Sequence, residues 1–163
     1  MTLAERIRQA LTDLERVVSR AEQLRDKAIR TGDDGYWDGV ALNLHGFYAG
    51  IESIFEDIAQ VVDDNIPSGP DWHRRLLSQM TEEAPETRPS VIAEETSNCL
   101  ADYLGFRHIV RNVYTFNLRP TRLEELVVDL PACLELTTQD LNNFIAFLES
   151  VARSDDSQIE TDE

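Results

Sequence analysis

The sequence has little of what would staple, anchor or metallate a chain. Its two cysteines, Cys99 and Cys133, lie far apart and in no C-x-x-C pattern, which excludes a dense disulfide framework or a cysteine metal knuckle. They read as reduced thiols, small apolar fillers in a core. No apolar run approaches the roughly 20 residues that a membrane-spanning helix requires, and the opening MTLAERIRQALTDLER is too charged for a secretory signal. The expectation is a cytoplasmic protein with no membrane partner. Glycine-rich phosphate loops, internal repeats and alternating strand patterns are missing too. So are Glu-x-x-His and His-x-x-x-His, the helical spacings that would house a di-iron or zinc site; neither a metal nor a cofactor is expected.

Basic charge is scarce as well. Against 31 acidic residues stand 15 Lys and Arg, for a formal charge of -16 over 163 residues. The last ten residues, SDDSQIETDE, hold five carboxylates and no cation. They have almost nothing to bury and read as a disordered acidic tail, residues 154–163, behind a single domain over 1–153. The remaining body still carries about -11, a field that repels polyphosphate unless a local basic patch overcomes it. Between Tyr103 and Leu123 there is one: Arg107, Arg111, Arg119, Arg122 and His108, with no Asp or Glu among them.

What is present is helical periodicity. Leu3, Ile7, Leu11, Leu14, Val18, Ala21, Leu24 and Ala28 recur at three and four, with Thr2 and Glu5 spaced as a capping box. Thr31-Gly32-Asp33-Asp34-Gly35 is a turn, followed by a second helix over roughly Tyr36 to Asp63 with Leu44, Phe47, Tyr48, Ile51, Phe55, Ile58 and Val62 as its stripe. Asn65 to Pro70 breaks the chain, and Asp71 can cap a short helix DWHRRLLSQM. TEEAPETRPS is a loop with little to pack. A fourth helix should begin near Ser90 and end around Asn117 to Pro120, carrying Val91, Cys99, Leu100, Tyr103, Leu104, Val110 and Val113. Thr121 and Glu124 form a second capping box for a last helix to about Val151, which Pro131 should kink or interrupt. The fold class that follows is all-α: an antiparallel bundle of four long helices and one short one.

Most polar candidates have a plain structural reading. Glu52, Glu56 and Asp57 read as a solvated helix face rather than a carboxylate site. His45, beside the Leu44 stripe, reads as a hydrogen-bonded structural histidine. In Trp72-His73-Arg74-Arg75 the indole reads as a packing anchor and the cations as solvated. FRHIVRNVY, residues 106–114, is different because its polar groups align. Spacings of four and three put Arg107, Arg111 and Tyr114 on one helix face, with His108 and Asn112 on the next. Periodicity alone leaves two accounts open: a surface stripe paired to distant carboxylates, or a phosphate-binding face.

Three stretches carry a resemblance: LHGFYAGIESIFEDIA (44–59), PSGPDWHRRLLSQM (67–80) and YLGFRHIVRNVYTFNL (103–118). In these the chain resembles the HEPN superfamily, and more closely the HepT-like proteins. In that family a helical ribonuclease toxin pairs with a minimal nucleotidyltransferase (MNT) antitoxin. The resemblance implies a homodimer, a metal-independent endoribonuclease acting on RNA (tRNA among the candidate targets), and AMP transfer by the partner to the motif tyrosine. Its hallmark is Arg, a polar residue, three positions, His, any residue, Tyr. Laid on this sequence, it puts Arg107, His108 and Tyr114 at the matching places, and Asn112 where the histidine belongs.

That departure bears on chemistry. Imidazole can exchange a proton with the ribose 2′-OH or the leaving 5′-oxygen, and a carboxamide does not titrate. The candidate catalytic residues are therefore Arg107, Asn112 and His108. Arg107 and Arg111 would hold phosphate, Asn112 would hold a phosphate oxygen or orient water, and His108 is the fallback acid or base. Tyr114 is the candidate modification site. On a straight helix Arg107 and Asn112 lie about 140° apart, so a two-fold dimer would be needed to bring both kinds of group to one phosphate. The other reading is a non-catalytic HEPN module that binds the nucleotidyltransferase or a nucleotide, its nuclease function lost with the histidine. A helical interaction protein with an acidic recruiting tail is a third.

Overall fold

The computed structural model describes residues 1–112, 114 and 117–161. They form five α-helices: α1 (Leu3–Thr31), α2 (Gly35–Ile58), α3 (Trp72–Thr81), α4 (Glu94–Asn112) and α5 (Pro120–Thr161). A π-helical stretch, Ala59–Asp63, prolongs α2. Four long helices and a short one were expected, and the all-α bundle is what forms.

The long first helix starts at the expected capping box. Thr2 Oγ1 accepts from the Glu5 amide at 3.2 Å, while the Glu5 carboxylate accepts from the Thr2 amide at 2.6 Å. Its stripe of Leu3, Ile7, Leu11, Leu14, Val18, Ala21, Leu24 and Ala28 is buried, and Gly32 closes it in the left-handed region at φ 69°, where other residues are strained. α2 returns against it at close range: a Cβ on Gly39 would come within 2.9 Å of Leu24 Cδ1, and one on Gly50 within 2.8 Å of Leu14 Cδ2. Arg6 on α1 clamps Asp57 on α2 through two N–H groups, at 2.7 and 2.9 Å. α2 is the central element, packing against α1, α3, α4 and α5, and its face from Val40 to Ala59 forms the middle of the core. Across it, Tyr103 of α4 stacks edge-on against Phe47 and donates to the Leu126 carbonyl of α5 at 2.7 Å.

Several boundaries differ from the sequence reading. α4 begins at Glu94 instead of Ser90, because the 91–93 stretch is held from elsewhere: the Val91 and Ile92 amides donate to the Met80 carbonyl. Asp140 of α5 then accepts from the Ala93 amide at 2.9 Å and from Thr96 Oγ1 at 2.6 Å, an N-terminal cap supplied from 47 residues away. Asn112 is the last helical residue of α4, and Val113 lies outside the described residues. α5 opens at Pro120, so Thr121 is already inside the helix and the expected capping box does not form. Proline suits a first helical position, where its missing N–H has no partner to lose. Pro131 lies inside α5 without ending it.

Residues 154–161 continue α5 as helix, where a disordered tail was expected, although 151–159 are exposed. Cys99 and Cys133 are not free thiols. They form a disulfide between α4 and α5, with Cα atoms 5.8 Å apart; helix packing brings together positions 34 apart, which spacing alone does not reveal. The loop TEEAPETRPS also has more to pack than its composition suggests. Arg88 within it is buried, paired with Asp63 and donating to the carbonyls of Gln79, Glu82 and Pro89. Among the described residues no helix is long and apolar enough to cross a membrane.

Candidate functional site

Where α3 crosses between α2 and α4, three charged or titratable side chains from three helices meet. Glu52 of α2 is 4% exposed. Its Oε1 lies 3.0 Å from Arg107 Nη1 of α4, and its Oε2 lies 2.7 Å from His73 Nδ1 of α3. Arg107 Nη1 is also 2.7 Å from His73 Nδ1. A carboxylate is removed from water only where it is paired, and here both its oxygens have cationic or N–H partners.

Local sequence explains the placement. Glu52 sits among buried Ile51, Ile54 and Phe55, so the α2 face carrying it turns inward. Leu76, Leu77 and Met80 seat the short α3 on the core, and Trp72 packs partly buried against it, its indole centroid 3.6 Å from the His73 ring. Phe106 is buried and pins the α4 turn that carries Arg107.

The expectation of a solvated face at Glu52, Glu56 and Asp57 is thus corrected. Glu52 is buried in the cluster, Asp57 is held by Arg6, and Glu56 is half-buried. His73 is likewise no solvated cation. Both residues lie inside the stretches that carry the family resemblance, 44–59 and 67–80, the one signal the sequence holds for them; charge patterning alone points the other way.

The cluster opens onto a cleft of about 890 Å³ between α3 and α4. His73, Arg74, Arg107, His108 and Arg111 bring five basic or imidazole groups to its lining, and Asp71 and Glu94 two carboxylates. Arg74, His108 and Arg111 are exposed. Arg107 is mostly buried, and its Nε is enclosed with no hydrogen-bond partner among the described residues.

His45 on α2 lies near the same charges. Burial first, then the positive charges of Arg107 and Arg111, hold its pKa below 6.5, with Glu52 opposing. Its ring makes no hydrogen bond among the described residues, so the hydrogen-bonded structural histidine expected there is not what forms. Burial and the Glu52 charge push the Tyr48 phenol up, with Arg107 opposing; Tyr48 is a neutral wall of the cluster. Among the described residues no set of His, Cys, Asp and Glu side chains gathers in a metal-binding arrangement.

The residues expected from FRHIVRNVY therefore separate. Arg107, His108 and Arg111 come together at the cleft. Asn112 does not line it: its Nδ2 donates to the His108 carbonyl of the preceding turn at 2.7 Å. Tyr114 lies beyond the end of α4 and is 74% exposed. Arg107 is not an unpaired cation awaiting a ligand, since Glu52 already neutralises it; Arg74 and Arg111 are the cleft's exposed guanidinium groups.

No curated protein and no solved structure matches the chain. A family model described as HepT-like protein matches residues 39–148, a span that contains Glu52, His73, Arg107 and the whole cleft lining. The chain, an all-helical bundle with its polar cluster inside the matched span, belongs to the HepT-like family.

Proposed function

We propose that this protein is a HepT-like toxin of the HEPN class, an endoribonuclease whose substrate, RNA, lies in the α3–α4 cleft, and that a cognate MNT nucleotidyltransferase neutralises it. The observation that carries the reading is the cleft itself. In a chain of charge -16, Arg74, Arg107, Arg111, His73 and His108 share one groove with the carboxylates of Asp71 and Glu94, and the exposed guanidinium groups of Arg74 and Arg111 suit a phosphodiester backbone. In this reading Arg74 and Arg111 grip phosphate, and Arg107, preorganised by Glu52, stabilises charge developing on the phosphorane. The protein acts as a homodimer. Tyr114, exposed at the end of α4, receives AMP from the partner, whose added negative charge would satisfy the exposed arginines and close the groove to RNA.

Purified protein incubated with tRNA in EDTA tests this. Cleavage is expected, and Arg111→Ala should reduce it by about 10²-fold, the scale for losing one charge-stabilising donor. Co-expression with the nucleotidyltransferase should add one AMP by mass, and Tyr114→Phe should abolish the addition. Light scattering should return twice the chain mass.

A second reading is favoured by one observation. With the Asn112 carboxamide tied to its own helix, the motif position offers no proton donor or acceptor to the cleft, as in a binding module without nuclease function. Intact tRNA after incubation, together with retained binding to the nucleotidyltransferase, would select that reading.

A further inference from the structure

The following inference rests on the RNA-cleaving reading and supplies the group it lacks. The chain has three histidines, and all three lie at or near the site: His73 and His108 line the cleft, and His45 feels the charges of Arg107, Arg111 and Glu52. Only His73 is held by a carboxylate. His108 and His45 make no side-chain hydrogen bond among the described residues. Proton-transfer imidazoles are characteristically fixed by a third group that orients the ring and sets its tautomer.

We propose that His73, contributed by α3, is the proton-transferring catalytic residue of this cleft, and that Glu52 is its positioning residue. Glu52 Oε2 has only acceptor capacity as a carboxylate, so the proton is assigned to Nδ1, which donates across 2.7 Å. Arg107 Nη1, 2.7 Å from that nitrogen and 3.5 Å from Nε2, cannot accept its proton and stands as the ion-pair partner of Glu52 Oε1 at 3.0 Å. Nε2 is then the ring nitrogen with a lone pair for substrate. The Trp72 indole, 3.6 Å away between ring centroids, restricts the ring further. The arrangement puts a base, its orienting carboxylate and a guanidinium in one cluster at the wall of the α3–α4 cleft.

The step balances within the substrate and this ring. Nε2 takes the proton of a ribose 2′-OH as the 2′-oxygen forms a bond to the adjacent phosphorus. The P–O5′ bond breaks, and the imidazolium returns that proton to the departing 5′-oxygen. The products are a 2′,3′-cyclic phosphate end and a 5′-hydroxyl end, with no co-reactant consumed. Arg107 and Arg111 face the non-bridging oxygens. The charged groups against the ring are Glu52 from α2 and Arg107 from α4; His108 and Arg111 from α4, Arg74 from α3 and Asp71 just before it line the same cleft, and His45 of α2 lies near Arg107 and Glu52.

The test is single-turnover cleavage of tRNA in EDTA across a pH series by the wild-type chain, Arg111→Ala, His73→Asn and His108→Asn, with thermal melts of each. Asparagine at 73 keeps an N–H donor near the Nδ1 position for Glu52 but cannot titrate. His73→Asn should lose about 10²-fold or more, exceed the loss in His108→Asn at least tenfold, and erase the acid limb of the kcat/KM profile. Cleavage by His73→Asn within tenfold of wild type, with the limb intact, overturns the assignment and leaves the nuclease reading standing. Absence of cleavage by the wild type overturns both.

Should His73→Asn melt far below the wild type, NMR of the unmutated chain decides. His45→Gln and His108→Asn each remove one of three imidazole signals, which assigns the His73 ring. A 2′-O-methyl oligoribonucleotide, uncleavable by this route, must shift that ring signal; an unmoved signal in the bound complex overturns the proposal.

Discussion

The most demanding test of the buried cluster is a double-mutant cycle on Glu52 and Arg107. Glu52 is 4% exposed and the Arg107 side chain 15%, so little solvent screens the pair. Replacing Glu52 with Met removes the acceptor at 3.0 Å from Arg107 and at 2.7 Å from His73, leaving a guanidinium whose Nε already lacks a partner. Removing one member of a buried ion pair costs about 3–5 kcal/mol, which for a chain of this size lowers Tm by about 6–20 °C. Arg107→Met should cost a similar amount, since it leaves the carboxylate with His73 alone. The double variant removes both charges, so its loss should fall short of the sum of the singles by about 1–3 kcal/mol. Urea titration and thermal melting by circular dichroism at pH 7 measure all four chains. If the singles lose less than about 1 kcal/mol, or add within about 0.5 kcal/mol in the double, the two groups are not a buried pair and the preorganisation of Arg107 is wrong.

Other predictions concern the supports around the site. Arg88→Ala should destabilise by about 3–5 kcal/mol in urea, because it unpairs Asp63, whose side chain is 8% exposed, and frees the carbonyls of Gln79, Glu82 and Pro89; a loss under about 1 kcal/mol would contradict the packing of that loop. Burial pushes the Asp63 carboxyl up, but hydrogen bonds from Arg88 and Gln79 and the Arg88 charge outweigh it and hold the pKa below its ordinary 3.8. The stability this contributes is complete above 3.8 and is lost as pH falls through the lower folded value, so the acid-side decline should be shallower in Asp63→Asn. Reduction of the Cys99–Cys133 bridge, which spans 34 residues, should cost about 4 kcal/mol in the chain-entropy account. Two thiols titrating in the folded, unreduced protein would refute the bridge. Asn112→His should change tRNA cleavage by less than tenfold if His73 carries the proton; a gain of about 10² would return that role to position 112.

What the sequence makes legible is what close neighbours along the chain determine. The capping box at Thr2 and Glu5, the stripe of α1 and the Thr31–Gly35 turn all follow from close neighbours in sequence, and they stand as expected; Asp71 precedes α3 as expected, but its side chain makes no capping hydrogen bond. The α4 start was misplaced because its cap, Asp140, comes from another helix. The disulfide was missed because its cysteines meet only through α4–α5 packing. Arg107, Arg111 and His108 were legible as a helical face, but that face could not reveal that Arg107 is already neutralised or that Asn112 turns back to its own backbone.

Composition and helical periodicity alone determined an all-α chain, and the resemblance carried by residues 44–59, 67–80 and 103–118 pointed to its family. Tertiary structure decided which polar residues form the site. A carboxylate in a helical sequence looks the same whether its face meets water or a neighbouring helix, and only packing removed Glu52 from solvent. Once it was buried, the cost of desolvating its charge required partners, and α3 and α4 supplied them as His73 and Arg107.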